Sequence, residues 1–167
     1  MLHKATIAGL TIDPASNTPI IILKTENDDQ AIPIWIGLLE ATSIASALQK
    51  IEFERPMTHD LFKSVTDRLK VAVTKVAVCD LRDNTFFAMI YFDGESLSFS
   101  MDARPSDAIA IALRFQAPIF VDDKVIEKST PGQGHDKGEM LDKSEEGKKW
   151  AEYLEKLSPE DFGKYKI

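Results

Sequence analysis

A chain of 167 residues, 44% of them apolar, with a net charge of −7 is long enough to bury one core without a metal or disulfide staple, and its single cysteine excludes an internal disulfide framework. The acidic balance repels polyanions on average, so any contact with nucleic acid is local and not spread over a broad basic surface. No window is apolar over the length needed to span a bilayer, and residues 1–6 form no apolar signal segment, which predicts a soluble, cytoplasmic protein with no membrane partner.

Residues 3–12 alternate as a strand, and residues 19–25 and 31–36 are β-branched runs separated by polar, turn-rich breaks, giving a three-strand meander. From residue 37 to 50 the period changes and sets Leu38, Ala41, Ala45 and Leu48 on one stripe, which predicts a small-residue helix. Residues 58–69 predict a second helix, with Thr58 as N-cap, Asp60 in the first turn, and Leu61, Phe62, Val65 and Leu69 on its buried face. Residues 71–81, 85–92 and 96–103 are three further strands, joined by tight turns at Arg82, Asp83 and Asn84 and at Asp93, Gly94 and Glu95. Cys79, within the first of them, reads as a small buried hydrophobe in a reducing compartment. Residues 105–115 predict a third helix and residues 118–121 a short last strand.

Residues 19–23, 31–36 and 44–48 lie without a gap on residues 84–88, 96–101 and 109–113, which suggests a duplicated βββα unit with the 58–69 helix inserted between the copies. The expected fold class is α+β, a mixed, mainly antiparallel sheet built from two βββα units. Under the repeat, the strand-to-helix corners at Gly37 and at Asp102 to Pro105 are equivalent, and Glu40 approaches the second corner. The domain is expected to span residues 1–128, followed by a linker over 129–139 rich in Gly and Pro and a helical tail over 140–167.

Two helix entries are alike in joining an Arg-Pro start to nearby acids and hydroxyls. The first is Arg55, Pro56, Met57, Thr58, His59, Asp60, Leu61, and the second is Asp102, Ala103, Arg104, Pro105, Ser106, Asp107. With two long strands between them and Ala117, Pro118, Ile119, Phe120, Val121 following, these blocks resemble the bifunctional nuclease family over residues 3–128. The resemblance implies a compact α+β domain, found in bacteria and plants, with nuclease activity on both DNA and RNA. It carries over no catalytic residue.

Phosphodiester hydrolysis calls for carboxylates around a divalent cation, magnesium or manganese, with a basic residue on the phosphate. Glu40, Asp102 and Asp107 are the candidate metal ligands, and together with His59 and Asp60 the candidate catalytic residues. An imidazole can serve as ligand or as general base. Arg55 and Arg104 are candidates to grip phosphate bidentately, and Ser106 to add a hydroxyl. Each has a plainer reading: Asp60 and Asp107 neutralise helix dipoles, and Arg104 pairs with a neighbouring acid to fix its loop. Ser106 lacks a Gly-x-Ser-x-Gly elbow and has no histidine at a recognisable triad spacing, so covalent catalysis is not expected. There is no Walker loop, dinucleotide fingerprint or zinc spacing. The alternative to a nuclease is a non-catalytic, oligomeric module that binds a small anion or a protein. A homo-oligomer, a dimer in the first instance, is expected under either reading.

Overall fold

Among the described residues the strands β1 (Leu2–Asp13), β2 (Thr18–Thr25), β3 (Ala31–Trp35), β4 (Val71–Arg82), β5 (Thr85–Gly94), β6 (Ser98–Ala103) and β7 (Ile119–Asp122) form one sheet in the order β3-β2-β1-β7-β4-β5-β6, every neighbouring pair antiparallel except β4 and β7. The structure is a computed structural model and describes residues 1–26, 31–95 and 97–129. The linker and tail expected beyond the domain lie outside these residues, apart from Ser129.

β1 (Leu2–Asp13), β2 (Thr18–Thr25) and β3 (Ala31–Trp35) make the first meander, and α1 (Leu38–Leu48) follows. Along β2 the residues alternate strictly, with Pro19, Ile21, Leu23 and Thr25 buried, the signature of a strand with one face on the core. After α2 (Thr58–Arg68), the second meander is β4 (Val71–Arg82), β5 (Thr85–Gly94) and β6 (Ser98–Ala103), again followed by a helix, α3 (Pro105–Phe115). Both βββα units are therefore present, one on each side of β7 (Ile119–Asp122). Asp83 and Asn84 both have positive φ, 47° and 58°, as a two-residue hairpin that continues the strand twist requires.

α3 is the central helix. Ala108, Ile109, Ala110, Ile111 and Ala112 are all buried, so its run of alanines reflects close packing against α1, α2, β4 and β5 rather than helix propensity alone. Lys50, Lys70 and Gln116, just beyond α1, α2 and α3, take left-handed φ near 55° and turn the chain off each helix end. A short helix not foreseen in the sequence, α4 (Asp123–Ser129), carries the chain past the last strand. The Asp122 carboxylate accepts the Lys124 N–H at its start, and Lys128 near its end donates to Asp80 and to the Leu81 carbonyl. The Asp80 carboxyl is lowered to about 2, because the Lys128 hydrogen bond outweighs desolvation and the Leu81 N–H and Arg82 reinforce it.

Two apolar faces differ from expectation. On α2, Leu61, Val65 and Leu69 are exposed, while Phe62 packs edge-on against Phe92, and Thr66 is buried. The helix docks through His59, Phe62 and Thr66, one residue round from the aliphatic stripe, because Phe62 completes an aromatic row in which Phe92 stacks on Phe99 at 4.7 Å. On α1, Leu48 is exposed and the buried residues are Ala41, Ile44 and Ser46. Cys79 is half-buried and donates to the Phe87 carbonyl, and burial pushes its thiol up, away from reactivity. Among the described residues no helix is long and apolar enough to cross a membrane.

Candidate functional site

The edge strands β3 and β6 stand at opposite ends of the sheet order, roughly 30 Å apart if the sheet were flat. α1 and α2 both pack on α3, which brings the three helix starts together around one cavity. The first turns of α1, α2 and α3 carry Glu40, Asp60 and Asp107 in turn, and none of the three N-termini has a side-chain cap on its N-cap residue. Each entry leaves unpaired N–H groups and a positive dipole end, which the acid of its own first turn partly neutralises.

Between these entries lies a cavity of about 280 Å³, with Leu39, Phe53 and Met57 supplying apolar wall and Glu40, Ser43, His59, Arg104 and Asp107 supplying chemistry. Arg104, the N-cap residue of α3, bridges two acids: Nη2 lies 2.8 Å from Glu40 Oε1 and Nε donates to Asp107 Oδ2 at 2.7 Å. Its side chain is 63% exposed, and its Nη1 amine has no hydrogen bond among the described residues. Gly37 makes room for this arrangement, since a Cβ there would collide with Glu40 Oε2.

The other Asp107 oxygen, Oδ1, is 3.0 Å from His59 Nε2, and His59 Nδ1 is 2.8 Å from Ser43 Oγ. Burial pushes the Asp107 carboxyl up, but the hydrogen bonds from Arg104 and His59 more than offset it and hold the group below the usual carboxylate range. The same Asp107 bond raises the Arg104 guanidinium against the opposing pull of desolvation, and Glu40 adds to the rise. An ionised carboxylate only accepts, so His59 places a proton on Nε2; in the neutral ring Nδ1 is then the acceptor for the Ser43 hydroxyl.

Four of the anticipated residues, Glu40, His59, Arg104 and Asp107, thus share one pocket wall. Asp60 stands behind it. Its Oδ2 accepts the Met57 N–H at 3.0 Å and its Oδ1 takes the Arg114 Nε, so it caps α2 and forms an internal ion pair. Ser106 is buried in the first turn of α3 and is not part of the cavity wall. Arg55 is exposed on the loop between α1 and α2, without a partner among the described residues.

Asp102 does not join the cluster. In β6 it stands opposite Met89 and Ala77, whereas its neighbour Ala103 stands opposite Ala88 and Val78 and packs on the core. Period-two alternation therefore points Asp102 away from the helices. Glu40 and Asp107 are each held by Arg104, and among the described residues no three of His, Cys, Asp and Glu group so as to hold a metal. The described side chains thus do not make the three-carboxylate cation site anticipated from Glu40, Asp102 and Asp107.

Ser43 and Arg114 carry no signal in the sequence. Ser43 is one hydroxyl among several on a small-residue helix, and Arg114 looks like an ordinary last-turn cation. Only the hydrogen bonds across helices single them out.

The bifunctional nuclease domain matches residues 21–132, a stretch that holds every residue of the pocket. An uncharacterized protein of Mycobacterium tuberculosis is 35% identical over 164 residues, which cover 96% of this chain and 98% of its own length. Bifunctional nuclease 1 of Oryza sativa subsp. japonica is 28% identical over 116 residues, 68% of this chain and 35% of the rice protein. Bifunctional nuclease 1 of Arabidopsis thaliana is 29% identical over 123 residues, 72% of this chain and 38% of the plant protein.

Proposed function

The chain belongs to the bifunctional nuclease domain family, and on that basis we propose that it hydrolyses phosphodiester bonds of DNA and RNA with low sequence specificity at the pocket between its three helix entries. The observation that carries this reading is Arg104, an exposed guanidinium pinned by Glu40 and Asp107 with an amine left over, beside the imidazole of His59. The N-termini of α1 and α3, without a side-chain cap, favour a phosphate there, and the guanidinium fork adds directional donors to its oxygens. In this assignment Arg104 binds the scissile phosphate, His59 moves the proton, and Asp107 orients His59 through Nε2.

The cavity volume of about 280 Å³ admits on the order of one nucleotide unit, with Phe53 and Met57 as apolar wall for sugar or base. Such a pocket reads backbone more than sequence, which suits low specificity. A magnesium or manganese ion brought with the substrate would be held by Glu40 and Asp107 and would supply charge neutralisation at the phosphate. No proton or phosphate step above depends on it. Self-association belongs to the same reading, with the exposed stripe of Leu61, Val65 and Leu69 on α2 as its surface.

The test is to incubate purified full-length protein with single- and double-stranded DNA and RNA in magnesium, manganese or EDTA. Cleavage is expected, with a loss of at least about a hundredfold in His59→Ala and in Arg104→Ala. Undiminished cleavage in both variants overturns the assignment. A second reading, a non-catalytic anion-binding module, is favoured by the starts of α1 and α3, whose N-cap residues make no side-chain cap and which attract an anion whether or not it turns over. Absence of turnover together with saturable thermal stabilisation by a nucleotide would select it.

A further inference from the structure

Resting on the reading of this pocket as a hydrolytic centre, we propose that Ser43 is its nucleophile and that cleavage runs through a covalent phosphoseryl intermediate. Both ring nitrogens of His59 are committed, Nε2 to Asp107 at 3.0 Å and Nδ1 to Ser43 Oγ at 2.8 Å. The carboxylate has no proton to give. The group from which His59 can take one directly is therefore the Ser43 hydroxyl, and an attacking water has no free ring nitrogen to approach. The chain Ser43, His59, Asp107 has the roles of a nucleophile, base and orienting acid, with the two ring nitrogens exchanged relative to the usual serine-hydrolase order.

Three further observations single out Ser43. Thr42, Ser46 and Thr58 also line the cavity, but the hydroxyls of Thr42 and Ser46 are tied to the carbonyls of Leu38 and Ser43 at 2.9 and 3.0 Å, and among the described residues Ser43 is the cavity hydroxyl bonded to an imidazole. Arg104 brings its spare amine to the same cavity, where developing charge on the phosphoryl oxygens would sit. The buried Arg114 donates through Nη1 to the Ser43 carbonyl and through Nε to Asp60, the residue after His59, so nucleophile and base are fixed to one rigid post.

The chemistry balances with one water. Ser43 Oγ bonds to phosphorus as its proton passes to His59 Nδ1. The bond from phosphorus to the leaving sugar oxygen breaks, and Nδ1 returns the proton to that oxygen. Water then attacks phosphorus and gives a proton to His59. The bond from phosphorus to Ser43 Oγ breaks, and Oγ recovers a proton.

A fluorophosphonate probe, which phosphonylates activated serines, tests the proposal separately from nuclease activity. The full chain should gain one adduct by mass, mapping to Ser43, absent in Ser43→Ala, slowed at least about tenfold in His59→Ala and retained in Ser46→Ala. Ser43→Cys supplies a second probe should Ser43→Ala fold poorly: iodoacetamide at pH 7 should alkylate it about tenfold faster than in the double variant with His59→Ala. Rapid acid quench with a labelled oligonucleotide should trap a protein-bound strand, and Ser43→Ala should lose at least about a thousandfold in cleavage. Wild-type rates of cleavage by folded Ser43→Ala, with no adduct at Ser43 of the native protein, overturn the nucleophile and leave the hydrolytic reading standing. Labelling of Ser43 by a protein that cleaves no nucleic acid overturns that reading and keeps the nucleophile.

Discussion

Arg114, in the last turn of α3, is the ion-pair partner of Asp60, in the first turn of α2. The guanidinium is 8% exposed and also donates to the carbonyls of Ala110 and Ser43, so a single buried cation ties three helices together behind the pocket. Removing it strands a partly buried carboxylate and leaves the Ser43 carbonyl short of a donor. Arg114→Met is expected to cost about 2–3 kcal/mol in urea unfolding, below the usual figure for a fully buried pair because Asp60 is 33% exposed. Asp60→Asn, which keeps an oxygen for Arg114, should cost less.

The acid limb of stability should depend on Asp107. Its folded carboxyl titrates below the usual value, so between that value and about 4 the unfolded chain binds the proton and the native chain does not. Stability rises with pH through that window and is lost as pH falls through the folded value. Melting temperatures recorded from pH 7 down to 2 should therefore drop less steeply below about pH 4 in Asp107→Asn than in the native protein. A parallel acid limb in the two proteins would show that the Arg104 and His59 bonds contribute nothing to folding.

Gly37→Ala should separate the site from the fold. A Cβ at this position falls on Glu40 Oε2, and the side chain can move where backbone cannot, so the carboxylate leaves Arg104 while α1 persists. Stability is expected to fall by no more than about 1 kcal/mol, the cost of alanine in place of glycine at an N-cap. Cleavage should drop about tenfold, as it should in Glu40→Gln, because Arg104 then keeps one of its two anchors. Full activity in both variants would remove Glu40 from the site.

Asp102→Ala should leave cleavage within about twofold of the native rate, in contrast to Asp107→Ala. The two acids are five positions apart in sequence but on opposite sides of the sheet, and strand alternation alone accounts for the difference. A large loss in Asp102→Ala would place a working group on the far face.

The βββα order of both halves, the strands to within about two residues and the three long helices were legible in the chain alone, because strand alternation, helical spacing and turn residues are local properties written at fixed periods. The internal repeat also brought Glu40 toward Arg104, since it made their corners equivalent. Which polar residues meet was settled by packing in three dimensions. Alternation removed Asp102, a buried arginine claimed Asp60, and Ser43 gained its partner through a bond between side chains sixteen residues apart on different helices. The same held for α2, whose exposed Leu61, Val65 and Leu69 are as apolar as a buried face but lost the docking contest to Phe62. Periodicity records that a face is apolar or an acid opens a helix; which neighbour it meets is fixed by packing and hydrogen bonds between elements distant in the chain, and those leave no local pattern.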